Sequence, residues 1–94
     1  MNKIKIYCLA FREEASGRNT MTGDWHTSRE FVRAELKETA EAIKNESRED
    51  NGVKVLSESD DMFYYEVSGR KGTFYIEDSA LQFDKEIKIK GGKL

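Results

Sequence analysis

Proline is absent from this 94-residue chain, and cysteine and histidine occur once each, as Cys8 and His26. Without proline, strand ladders can run uninterrupted. A lone cysteine cannot form an internal disulfide, and one cysteine with one histidine falls short of the three or four ligands a zinc site takes from protein. No metal and no cofactor are expected. No apolar run reaches signal-peptide or membrane-spanning length, so the expected compartment is the cytoplasm. Apolar residues are scarce at 37% and charged residues abundant at 36%, against ordinary globular usage. Ten aromatic residues and clear periodicity nevertheless argue for folding rather than disorder. A chain of this length holds one modest core, so residues 1–94 are read as a single domain.

What is present centres on residues 25–51, WHTSREFVRAELKETAEAIKNESREDN. Thr27 followed by Glu30 has capping-box spacing, which predicts a helix starting at Thr27. At about 100° per residue, Phe31, Val32, Leu36, Thr39, Ala40, Ala42 and Ile43 share one half of the circumference, a face suited to packing on a sheet. Glu35 falls inside that half, so its carboxylate is expected at the rim. Arg29, Arg33, Lys37 and Lys44 form a basic stripe elsewhere on the cylinder, with Arg48 near its edge. Asn51-Gly52 reads as the helix stop.

The remaining chain alternates like strands. Lys3 to Arg12 places Ile4, Ile6, Cys8 and Ala10 on one side and Tyr7, Leu9 and Phe11 on the other, which suits an interior strand with both sides at least partly covered. Cys8 is then expected to be a small buried hydrophobe. Glu13 to Asp24 is rich in turn formers and reads as a loop, with a short returning strand over Arg18 to Thr22 if the chain turns at Ser16-Gly17. Val53 to Ser57, Met62 to Val67 and Thr73 to Glu77 read as a meander, joined by turns at 58–61 and 68–72. Leu81 to Lys90 reads as a last strand, bent at Asp84-Lys85 and blunted as an edge by its lysines. The predicted fold is α+β: one long helix on a mainly antiparallel sheet of four or five strands, in the order β-α-β-β-β-β.

Net charge is −2 and the pI is near 5.5, which is not the signature of a nucleic-acid binder. The charge is segregated, however. From 45 to 69 seven acids face two bases, whereas from 85 to 94 four lysines face one acid. Glu46, Glu49, Asp50, Glu58, Asp60 and Asp61 form the candidate acidic ridge, fit to dock on a basic groove or to imitate nucleic-acid phosphates. Trp25, before the helix, and Tyr64, pointing opposite to Phe63 and Tyr65, are candidate contact hot spots. His26 is expected to pack on Phe31 as a hydrophobic staple, with Trp25 closing one end of the core.

No catalytic constellation is visible. Cys8 and His26 are far apart in sequence, and Gly69-Arg70-Lys71-Gly72 lies between strands rather than opening a helix. The chain is similar to small ribonuclease toxins only in size and in the use of Arg, Lys, Tyr and a lone His; its acidic pI departs from the positive charge such enzymes need. The leading expectation is a non-catalytic protein-interaction module, an inhibitor or regulator whose partner carries a basic surface. A short, charge-rich chain of this kind fits the profile of phage or mobile-element accessory proteins. The alternative is a small nucleic-acid binder using Arg29, Arg33, Lys37 and Lys44 against phosphates. An exposed sheet face bearing Tyr7, Leu9, Phe11 or Tyr64 is a candidate homodimer surface.

Overall fold

The computed structural model describes residues 2–47, 52–83, 88–89 and 92–93. The elements are β1 (Asn2–Glu13), β2 (Asn19–Met21), α1 (Arg29–Ser47), β3 (Lys54–Glu58), β4 (Met62–Val67), β5 (Arg70–Phe83), β6 (Lys88–Ile89) and β7 (Gly92–Lys93). The fold is α+β. Five antiparallel strands stand in the order β2-β1-β5-β4-β3, and β6 pairs with β7 in a separate two-stranded ladder.

The helix and the strands of the five-stranded sheet thus follow one another as β-β-α-β-β-β, where the sequence predicts β-α-β-β-β-β. The short strand returning from Ser16-Gly17 exists as β2, with Gly17 at φ 70° in the turn. The predicted final strand starting at Leu81 is not separate. Leu81 lies in β5, which runs unbroken for 14 residues and pairs with β1 from Asn2↔Phe83 to Glu13↔Gly72. Asp78, Ser79 and Ala80 resemble turn residues in sequence, yet they stay in the ladder. The bend expected at Asp84-Lys85 lies outside the described residues. Between β4 and β5 the turn is only Ser68-Gly69, at φ 52° and 79°, so Lys71 and Gly72 belong to the strand. Two residues with positive φ suit the twist of a tight hairpin.

The helix begins one residue later than the capping box implies. Ser28 Oγ accepts from the Phe31 N–H at 3.2 Å, the bond an N-cap makes to its third helical residue. Glu30 pairs with Arg33 one turn on, at 2.8 Å. The face that reaches the sheet is also narrower than the half-circle read from sequence. Val32, Leu36 and Ala40 are buried with Ile43 packed beside them, while Phe31 is 51% exposed and Ala42 is exposed. Phe31, Glu35 and Ala42 share one edge of the predicted arc, and that edge clears the sheet. Phe31 still stacks on His26, with ring centroids 4.2 Å apart.

Register decides which side of the sheet the helix covers. Leu9 pairs with Ile76, and Phe11 with Phe74, which in turn pairs with Phe63. Leu9, Ile76, Phe74, Phe63 and Tyr65 pack with Val32, Leu36 and Ala40, and Phe11 stands against Phe74 on the same side. Tyr7, Leu9 and Phe11 therefore line the covered side, contrary to the expectation that they might form the exposed one. The opposite side carries Ile6, Cys8 and Ala10 from β1, Tyr75 from β5, and Met62 and Tyr64 from β4. No element of the described chain packs across it as a second layer.

Candidate functional site

The outward flank of α1 faces the β3–β4 turn, and the basic stripe meets the acidic ridge there. Arg33 Nε donates to Asp61 Oδ1 at 2.8 Å, and Arg29 Nη2 lies 3.2 Å from Asp61 Oδ2. Arg33 also donates to Glu30 at 2.8 Å. About three turns further along the helix, Lys44 Nζ donates to both oxygens of Glu58, at 3.0 and 3.1 Å, and sits 3.4 Å from Glu41. Two surfaces read as separate in sequence are one ion-pair seam, joining the helix to the sheet.

Local structure explains the juxtaposition. Arg29 and Arg33 are four apart and Lys44 is eleven beyond Arg33, spacings that align on one side of a helix. The tight connection from β3 to β4 holds its own shape through Ser59, whose N–H donates to Met62 O and whose hydroxyl accepts from the Asp61 N–H. Asp61 is thereby aimed at the helix. The hydrogen bond from Arg33, then that from Arg29, holds the Asp61 carboxyl below the usual carboxylate range. Reciprocally, Asp61 raises Arg33 and Glu58 raises Lys44.

A groove runs along this seam. Its lining includes Leu36, Ala40 and Phe63, with Arg33, Lys37, Glu58 and Asp60 along the rim. Lys37 is exposed, and no carboxylate lies within 4 Å of its ammonium among the described residues. Asp60 is exposed at the crest of the turn, and Glu46 is exposed near the end of α1. Glu49 and Asp50, the other members of the proposed ridge, lie outside the described residues, as does Arg48.

At the start of α1 a second polar cluster forms. The backbone of His26 exchanges both hydrogen bonds with Tyr7, each 2.7 Å, which pins the approach to the helix onto β1. The imidazole is 4% exposed, and its Nε2 stands 3.9 Å from Glu35 Oε1. Glu35 is partly exposed, in keeping with a carboxylate at the rim. His26 Nδ1, Glu35 Oε1 and Arg29 Nε are buried without a hydrogen-bond partner among the described residues. Arg29 also lies over the Tyr7 ring, 5.7 Å from its centroid.

Cys8 stands on the other side of β1 from Tyr7 and its bridge partner His26, so the two do not form a nucleophile–base pair. Its thiol donates to Gly23 O at 3.3 Å and is fully buried. Burial pushes the thiol pKa up, the reverse of what a reactive cysteine needs. Among the described residues no cluster of three His, Cys, Asp or Glu side chains could hold a metal ion.

Of the two hot-spot candidates, Trp25 is half-buried where the chain enters the helix. Tyr64 stands on the uncovered side of the sheet, its hydroxyl donating to Glu14 Oε1 at 2.6 Å. That bond raises the Tyr64 pKa. Comparison with protein-family models, curated proteins and solved structures finds no match.

Sequence reading missed the seam because it scored the charges along the chain. The available signal was the pairing of a helix stripe with an acidic turn of matching pitch. It also missed Tyr75 and Met62, which join Tyr64 on the uncovered side. Neighbouring positions in β4 and β5 betray them, since both strands carry aromatic or large apolar residues at successive positions.

Proposed function

We propose that the chain is a non-catalytic protein-binding module that receives a basic segment of its partner along the groove between α1 and the β3–β4 turn. The observation that supports this is the state of the basic stripe. Arg29, Arg33 and Lys44 each already face a carboxylate within 3.2 Å, so a phosphate backbone would have to displace Asp61 and Glu58 to reach them. Exposed carboxylates remain on the rim: Asp60 is exposed, and Glu30, whose Oε1 accepts from Arg33, is 78% exposed. Complementary charge there would speed encounter and select a basic partner.

Such a binder would act as an inhibitor or regulator by occupying a basic surface, a role that suits a phage or mobile-element accessory protein. We place it in the cytoplasm, where its single cysteine needs no partner. No helix among the described residues is long and apolar enough to cross a membrane.

The test is a direct binding comparison between a fluorescent Arg/Lys-rich peptide and single- and double-stranded nucleic acid, at low and high salt. Peptide binding that falls by about tenfold or more in the double variant Glu30→Lys/Asp60→Lys is expected. Nucleic-acid binding that weakens steeply with salt and disappears in Lys37→Glu would overturn the proposal in favour of phosphate recognition.

A further inference from the structure

The uncovered side of the sheet has an internal symmetry that the groove does not share. The pairs Ala10↔Met21, Ala10↔Tyr75 and Met62↔Tyr75 place Met21, Ala10, Tyr75 and Met62 in one apolar row across β2, β1, β5 and β4. Tyr75 lies within this row with its hydroxyl donating to Asn19 Oδ1 at 3.3 Å, beyond Ala10. Its ring therefore crosses Ala10, which explains how Ala10 is fully buried with no second layer above it. Two residues along β1 on one side stands Arg12, paired with Thr73; two residues on the other side Cys8 pairs with Glu77. Arg12 and Glu77 thus flank the apolar row at equal spacing and with opposite charge. Both act electrostatically on the Tyr75 hydroxyl, Glu77 raising and Arg12 lowering its pKa, beneath a larger upward shift from burial.

We infer that this face binds a second copy of the chain, packed sheet on sheet about a twofold axis that passes through the Ala10–Tyr75 row. A twofold operation about that row exchanges the Thr73–Arg12 level of one copy with the Cys8–Glu77 level of the other. Arg12 of each copy then meets Glu77 of its partner, and the two apolar rows cover one another. An isologous contact of this kind is closed, so assembly stops at the dimer.

The edges of the sheet do not offer the same opportunity. β2 is three residues long, and β3 is broken by a bulge between Val55 and Ser57 and starts with Lys54, devices that blunt edge-to-edge pairing. Where β1 and β5 run on beyond β4, Lys3, Lys5, Glu77 and Asp78 put charge along the ribbon. The face is the unguarded surface. The region shared by two copies spans roughly 14 Å along the strands and 14 Å across them at ordinary strand spacing. That lies well below the ~800 Å² per partner of a standard interface, so the dimer dissociates in about the micromolar-to-millimolar range. This contact is separate from the groove, and either can exist without the other.

Analytical ultracentrifugation of the full chain from about 1 µM to about 1 mM tests it. The expected result is a mass rising from 10.9 kDa towards twice that value and no further. Arg12→Glu and Glu77→Arg should each weaken association by about tenfold or more, because each reversal sets like charges together twice. The double variant should recover it. In the unaltered protein, NMR signals of Tyr75 and Met62 should move with concentration while those of Phe63 and Leu36 stay fixed, a readout that needs no substitution. A constant mass of 10.9 kDa, association that survives both single reversals, or a double variant that fails to recover would each overturn the inference. Loss of peptide binding in the groove would leave it standing.

Discussion

The two sides of the central sheet are made by the same strands, yet they keep water out by different means. On the helix side a second layer does the work. Val32, Leu36 and Ala40 press onto Leu9 and Phe63, and the rings of Phe11, Phe63, Tyr65 and Phe74 extend the packing along the sheet. On the other side small side chains are sheltered by large neighbours in the same layer, as Ala10 is by Tyr75. The first arrangement buries large side chains completely: Phe63 and Val32 are 1% and 0% exposed. The second buries Ile6, Cys8 and Ala10 but leaves Tyr75, Met62 and Tyr64 partly in water. Stability therefore belongs mainly to the covered side, where Leu9, Val32, Leu36, Ala40 and Phe63 form the core cluster.

That division breaks first at its centre. Phe63→Ala should destabilise the protein by about 3–5 kcal/mol, since it removes a fully buried ring beneath α1 and leaves a cavity. Tyr75→Ala, which removes an equally large ring from the other side, should cost the monomer only about 1 kcal/mol. Urea denaturation at a low, fixed protein concentration separates the two. Equal losses would mean that the uncovered side carries as much of the core as the covered one.

Gly72 sharpens the comparison at the far end of the covered side. Phe11 lies across this glycine, and an added Cβ would meet the ring at 2.5 Å. The ring cannot swing away freely, because its centroid is 4.8 Å from that of Phe74 and 6.5 Å from that of Tyr65. A glycine covered by a neighbouring aromatic ring is a recognised way of keeping a strand intact where a side chain does not fit. Gly72→Ala should therefore cost about 1–3 kcal/mol by overpacking. Combining it with Phe11→Leu should cost less than the sum of the two single changes, a non-additivity that urea titration of the four proteins measures.

Much of this architecture is legible in the amino-acid order, and the parts that are not share a cause. The helix, the meander, the return of β2 and the burial of Cys8 all follow from local period and turn chemistry. β1 is apolar on both sides along its second half, so its own pattern cannot say which side the helix covers; pairing with Ile76 and Phe74 decides that. The run Asp78-Ser79-Ala80 looks like a break, yet it continues β5 because it lies beyond β4, on a ribbon where polar side chains are free to face water. The ion-pair seam joins residues 28 and 14 positions apart, and no tally of charge by segment can foresee it. The charges themselves are plain in the sequence, but their mutual neutralisation depends on the fold.

The smallest effect concerns that seam, a polar connection from the covering helix to the β3–β4 end of the sheet that unites both charge groups. Arg33 and Arg29 hold the Asp61 carboxyl below its ordinary range, so folding favours its ionised form. A carboxyl depressed on folding contributes stability above its unfolded pKa, near 4, and loses that contribution as pH falls through the lower folded value. Asp61→Asn should therefore lower the midpoint of thermal unfolding at neutral pH by less than Gly72→Ala does, since the seam is open to water and screened. The difference from the unaltered protein should shrink as the pH drops below about 4 and vanish in stronger acid. High salt should narrow it at neutral pH as well. A gap that persisted unchanged in acid would show that Asp61 acts through the shape of its turn, by way of the Ser59 hydrogen bond, rather than through its charge on α1.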